Sequence, residues 1–193
     1  IEALVDINSA VDMYILQELV KNADVGGSSF YMSKEAGGKL VFNPPWDFDK
    51  GFGNDTRGRS YKGLYVGEGT VASGDESSSN TNSWFIALYS TDWFKKLVKT
   101  RWAELRASAI DDPETAMLND INYATTNYSN SLARNFKKWS SILTKTYGWN
   151  GETYESYYGD VGTGNGSTYA AQVASLKNWI SNRVAYLDEK WAY

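Results

Sequence analysis

Asn43-Pro44-Pro45-Trp46-Asp47-Phe48-Asp49-Lys50-Gly51-Phe52-Gly53-Asn54 governs the reading of the rest of the chain. Asp47 and Asp49 flank a single residue, so in extended backbone their carboxylates share one side. Two carboxylates so placed repel unless something positive lies between them. A hard divalent cation with oxygen ligands is the usual remedy, and Mg²⁺ typically takes one or two carboxylates together with phosphate oxygens. Phe48 is expected to point the other way and bury. Pro44-Pro45 stiffens the approach, and Gly51 and Gly53 permit a close or left-handed exit. The same residues also read as a strand ending in a polar turn, its aspartates capping backbone amides. On these residues alone both readings stand open.

Upstream, Phe30-Tyr31-Met32-Ser33 and Lys39-Leu40-Val41-Phe42 read as short strands around a Gly37-Gly38 turn, a hairpin that delivers the chain into the aspartates. Before it, residues 9–21 read as a helix capped by Asn8 or Asp6. Val11, Met13, Ile15, Leu16, Leu19 and Val20 cover most of its circumference, so it is expected near the centre of the fold. Glu18 is expected to be solvated, and Lys21 to sit in the last turn, where the helix dipole favours a cation. Gly26-Gly27 ends this element in a tight loop that follows Asp24.

Downstream, residues 55–80 are rich in Gly, Ser, Asp and Asn and read as a long surface loop with at most one short strand. Helical spacing then takes over. Trp84, Phe85 and Leu88 form a short helix; Thr91 caps another with Trp93, Phe94, Leu97, Val98, Trp102 and Leu105 on its buried side. Asp112-Pro113-Glu114 starts a third. The third is expected to run toward Tyr147-Gly148, with a polar stretch at 125–130 that faces solvent or bends. Residues 148–166 read as a loop. Val173, Leu176, Trp179, Ile180, Val184, Leu187 and Trp191 mark a last helix from about 167 to 191, its tryptophans assigned to packing. The fold class is α+β, mainly helical: a central helix, a small antiparallel hairpin and trailing helices.

Composition narrows the chemistry. The 193 residues contain no cysteine and no histidine. Disulfides and thiolate metal sites are excluded, as are the usual general base, the usual zinc ligand and any Ser-His triad. Catalysis here would run on carboxylates, Lys, Arg, Tyr or hydroxyls. A net charge of -4 with interspersed signs argues against broad electrostatic binding to nucleic acid or anionic membrane. No stretch is apolar enough for a transmembrane helix. Abundant Tyr, Trp, Ser and Asn are compatible with an extracellular setting. The chain opens on Ile1, and we expect an excised fragment.

Asp24 follows a buried helix and precedes a hairpin that leads to Asp47-Phe48-Asp49. In protein kinases the same order holds a catalytic-loop Asp, which accepts the proton of the substrate hydroxyl, and an Asp-Phe-Gly whose Asp holds Mg²⁺. Kinases place a metal-binding Asn five positions after the catalytic Asp, where this chain has Ser29. Asp24 also reads as a turn aspartate bonding local amides, and Asn22 as an ordinary C-cap.

The run from Asp12 to Asp24, then Ser28-Ser29-Phe30-Tyr31-Met32, Gly38-Lys39-Leu40, Trp46-Asp47-Phe48-Asp49 and Gly53-Asn54, resembles the spore-coat protein H (CotH) kinase family. Trp93-Phe94, Arg101-Trp102-Ala103-Glu104-Leu105 and Leu176-Lys177-Asn178-Trp179-Ile180-Ser181-Asn182-Arg183 are similar to that family's C-terminal portion. The resemblance implies an atypical kinase that uses ATP and Mg²⁺, located outside the cell or on the cell or spore surface, with a protein as phosphoacceptor. It assigns catalysis to Asp24 and metal binding to Asp47 and Asp49. It makes Ser29 the cofactor-binding position, with a residue that departs from Asn. It also implies that the nucleotide-gripping N-terminal lobe, with its Gly-rich loop and strand lysine, is missing from residues 1–193, so that these residues alone are expected not to transfer phosphate. A second reading is a non-catalytic extracellular module that binds glycan or protein through the aromatic loops at 55–80 and 147–158. Exposure of Trp149, Tyr154, Tyr157 and Tyr158 would favour it.

Overall fold

A computed structural model describes residues 1–25, 28–54, 58–69, 83–140, 145–147, 153–155 and 168–192. The first helix, α1 (Ile7–Val20), starts where the Asp6 carboxylate accepts the Ser9 N–H at 2.8 Å. It ends at Lys21, which takes a left-handed conformation and returns its N–H to the last turn. Nine of its fourteen residues are buried, on every side of the helix. That is the all-round burial expected of an axis with neighbours around it. Tyr14 is the hub of the core: its ring stacks on Tyr89 at 4.9 Å and meets Phe85, Phe94 and Trp191 between 5.6 and 6.0 Å.

Strands β1 (Met32–Lys34) and β2 (Leu40–Phe42) pair antiparallel, Met32 opposite Phe42, around the Gly37-Gly38 turn. The Phe42 N–H donates to Ser9 Oγ at 3.1 Å, and Val5 bridges Leu40 in parallel, so the hairpin is fixed to the start of α1. Beyond Phe42 the backbone leaves the sheet, through a cis Asn43–Pro44 bond.

The described part of the segment expected to be surface loop is tightly built in. It contains no strand but a short helix, α2 (Tyr65–Glu68), with Leu64, Tyr65 and Val66 buried. A Cβ on Gly67 would clash with the Tyr14 hydroxyl and the Tyr89 ring, so only glycine lets α2 lie this close to the hub.

Helices α3 (Ser83–Tyr89) and α4 (Asp92–Ala107) continue the core. Phe94, Val98 and Trp102 bury, but Trp93 and Leu97, expected on the same side, are exposed: the buried stripe is narrower than the apolar one. Asp112 caps α5 (Pro113–Asn127) through the Thr115 N–H. The chain breaks at Tyr128 and resumes as α6 (Ser129–Lys138), so the long helix expected toward 147 is two shorter ones with no buried residue in either. A second hairpin, β3 (Lys145–Tyr147) with β4 (Thr153–Glu155), lies where the helix stop and a loop were expected. The last helix, α7 (Tyr169–Trp191), capped by Thr168, packs along α1, α4 and α5. The chain is mainly helical with small antiparallel hairpins, as its patterning predicts. Among the described residues no helix is long and apolar enough to cross a membrane.

Candidate functional site

The C-terminal end of α1 carries two loops. One is its own continuation through Asn22 to Asp24. The other is the exit from β2, whose Phe52 N–H donates to Val20 O at 2.7 Å. Asn22 is fully buried rather than a C-cap, and its side-chain oxygen accepts the Asp24 N–H at 3.1 Å. Asp24 is thereby oriented by the helix end itself. The two loops are tied together at Ser29, whose hydroxyl donates to Asp47 Oδ2 at 3.2 Å.

Asp47 and Asp49 converge, but not because the backbone is extended. Asp47 has φ +60°, a turn conformation uncommon for a non-glycine residue. Among the described residues four non-glycine residues have positive φ: Lys21, Ser29, Asp47 and Phe52. All four belong to these two loops. Such backbone costs roughly 1–3 kcal/mol per residue and collects where a geometry is held for a purpose. Asp49 reports the crowding. Its partial burial raises its pKa, and the Asp47 carboxyl raises it further by charge and by a hydrogen bond between the two; the Asp24 charge adds to this, and Lys50 opposes it. Three carboxylates from two loops thus act on one another, with Asp47 and Asp49 exposed and Asp24 and Ser29 half-buried. Phe48 is half-buried.

The family model described as CotH kinase protein matches residues 1–187. The chain belongs to that family. No curated protein and no solved structure matches it. Membership of the CotH family suggests a kinase-like, ATP-using function with a protein substrate.

The donor set fits the metal that such a function implies. The Asp47 carboxyl raises the pKa of Asp49, a cost that a cation between them would offset. Both are hard oxygen donors facing solvent. Among the described residues no group of three carboxylates is gathered tightly enough to cage an ion alone. A cation at Asp47 and Asp49 would need further oxygen ligands from water or from a bound phosphate.

What holds these loops in place was not evident from the chain's pattern. Glu18, expected in solvent, is fully buried. Its carboxylate accepts the Val66 and Gly67 N–H groups at 2.9 Å each, capping α2 from outside, and Arg183 Nη2 donates to it at 2.7 Å. Burial raises the Glu18 pKa and lowers that of Arg183, and each charge offsets the cost to the other. The guanidinium stays protonated, and with so many donors on Glu18 the pair is ionised. Lys21 is likewise buried, not displayed to solvent at a helix end.

Lys21, Arg183 and Trp179 together hold one stretch of backbone. Trp179 Nε1 donates to Arg59 O, Lys21 Nζ to Ser60 O and Lys62 O, and Arg183 Nη1 to Tyr61 O and Gly63 O, all between 2.7 and 2.9 Å. Five successive carbonyls are therefore met by buried side-chain donors. The sequence did hold a signal: Arg183 sits at core spacing between Trp179, Ile180 and Leu187, a position a solvated arginine would avoid.

Proposed function

We propose that this chain supplies the catalytic aspartate and the metal ligands of an ATP:protein phosphotransferase site. Asp24 accepts the proton of a serine, threonine or tyrosine hydroxyl on the acceptor protein. As that proton leaves, the hydroxyl oxygen bonds to the γ-phosphorus and the bond to the ADP oxygen breaks. Asp47 and Asp49 are the residues that would hold Mg²⁺, whose charge neutralises the phosphate oxygens. Ser29 enters the cofactor site through Asp47: its hydroxyl fixes one carboxylate oxygen. The observation that supports this reading is the Ser29–Asp47 hydrogen bond that ties the two loops at the end of α1, with the Asp47 and Asp24 charges both acting on Asp49. We also infer an extracellular or surface location, on the family resemblance.

The test is mass-detected phosphorylation by the full-length protein with ATP and Mg²⁺. Asp24→Ala is expected to lower transfer by about 10²-fold or more, the contribution of a general base, while nucleotide binding by calorimetry persists. Asp47→Ala is expected to weaken the Mg²⁺-dependent part of nucleotide binding as well. Unchanged transfer in Asp24→Ala would remove Asp24 from the mechanism.

One observation favours the module reading. Trp46, next to Asp47, is 58% exposed, and Tyr31 is 49% exposed. Aromatic faces open to solvent suit glycan or protein binding. Trp149, Tyr157 and Tyr158 and the side chain of Tyr154 lie outside the described residues. Glycan or protein binding that survives Asp24→Ala and Asp47→Ala, with no phosphoryl transfer by the wild type, would decide for the module.

A further inference from the structure

The motif at residues 176–183 has no part in the chemistry above, yet its tryptophan reaches the carboxylate loop. We propose that Trp179 is a positioning residue for Asp47 and Asp49. Trp179 is 1% exposed but stands apart from the aromatic core around Tyr14. Its neighbours are the loop itself. The Phe52 ring meets it edge-on at 6.1 Å. Gly53, at φ +80°, lies so close that an added Cβ would come within 2.7 Å of Trp179 Nε1. That indole N–H donates to Arg59 O at 2.9 Å.

The loop is thus wedged between two helices. On one side the Phe52 N–H is bonded to Val20 O of α1. On the other the indole of α7 presses on Phe52 and Gly53. From there the loop closes on itself, for Asn54 Nδ2 donates to Asp49 O at 2.6 Å. A displacement of the indole moves Gly53 and Asn54, and through Asn54 it moves the backbone that carries Asp49. Supports of this kind, one shell away from the ligands, typically alter metal affinity by about 10–100-fold.

Trp191 provides a matched control. It lies on the same helix, is equally buried and donates its indole N–H to Tyr89 OH at 3.1 Å, but it packs in the core. Trp179→Phe and Trp191→Phe therefore remove the same kind of bond from one helix at two places. The inference rests on the proposed metal role of Asp47 and Asp49, so two readouts are needed. The first is Mn²⁺ binding followed by electron paramagnetic resonance. We expect about tenfold weaker binding in Trp179→Phe and wild-type binding in Trp191→Phe, at matched fractions folded. The second is hydrogen exchange at the Phe52 amide, which needs no metal. We expect loss of protection in Trp179→Phe alone. Wild-type exchange at Phe52 in Trp179→Phe, or equal losses in both variants, overturns the proposal. If Phe52 loosens only in Trp179→Phe while the wild type binds no Mn²⁺, the positioning role stands and the metal site falls. If the wild type binds Mn²⁺ and Trp179→Phe binds it equally well, the metal site stands and the positioning role falls.

Discussion

Two carboxylate sites at the same end of α1 are built on opposite terms. Glu18 is sealed from water and met by two backbone amides and a guanidinium. Asp47 and Asp49 lie in the open, pressed against one another and against the Asp24 charge. The first arrangement satisfies a charge and spends it on holding α2 and α7 to α1. The second leaves charges in mutual conflict on strained backbone, which costs stability and suits a ligand that resolves the conflict. The contrast separates structural from functional carboxylates by their partners. Burial alone would have ranked them the other way.

The largest effect is expected at the sealed site. Arg183→Met leaves Glu18 buried without its cation and should cost about 3–5 kcal/mol, read as a fall in the urea midpoint. Adding Glu18→Gln should recover part of that loss, because no charge is then left unpaired. A cheap Arg183→Met would collapse the distinction. Asp112 is an intermediate case, partly exposed yet well supplied. Burial works against its ionisation, but the Thr115 hydroxyl and amide and the Arg106 guanidinium outweigh it and hold its pKa below the usual range. Asp112→Ala should cost about 1 kcal/mol at neutral pH, the worth of a helix cap. A depressed carboxyl pKa stabilises above the unfolded value of about 3.9. The difference between wild type and variant should therefore shrink as pH falls through the native value. The smallest effect is expected at the open site. Asp49 has a raised pKa, so the native state holds its proton more tightly than the unfolded chain does. Stability falls as pH rises from about 3.9 through the raised native value. Asp49→Asn should thus unfold no earlier than the wild type, within about 0.5 kcal/mol, and be slightly more stable, while Mn²⁺ binding is lost. Marked destabilisation would place Asp49 with Glu18.

The local pattern carried the frame. A helix apolar on all sides could only be central, Gly37-Gly38 could only turn a hairpin, and Asp112-Pro113-Glu114 started α5 where such a cap should. Chain order placed the Asp24 loop and the Asp47 loop together, and the Ser29–Asp47 hydrogen bond joins them. Glu18 was misread because its partner lies 165 residues away, and no window along the chain pairs them. A glutamate on a helix with no polar face was nonetheless a warning. The break at Tyr128 falls in the polar 125–130 stretch where a bend was one of two readings, but no proline or glycine fixes its place, and helices without a buried side give periodicity nothing to fix. The second hairpin was readable in principle: Lys145-Thr146-Tyr147 and Thr153-Tyr154-Glu155 are strand-prone runs on either side of Gly148 and Gly151.

The five carbonyls at 59–63 have a consequence for how this stretch can drift. Every residue type brings the same oxygen, so apart from Gly63 at φ +88° and the Ser60 hydroxyl, which accepts the Lys62 N–H, the path of the backbone is encoded outside the stretch. The instructions reside at Lys21, Trp179 and Arg183. Position 62, which is exposed, is therefore free to acquire new surface chemistry at little risk to the fold. The three distant guarantors of the stretch have almost no such freedom.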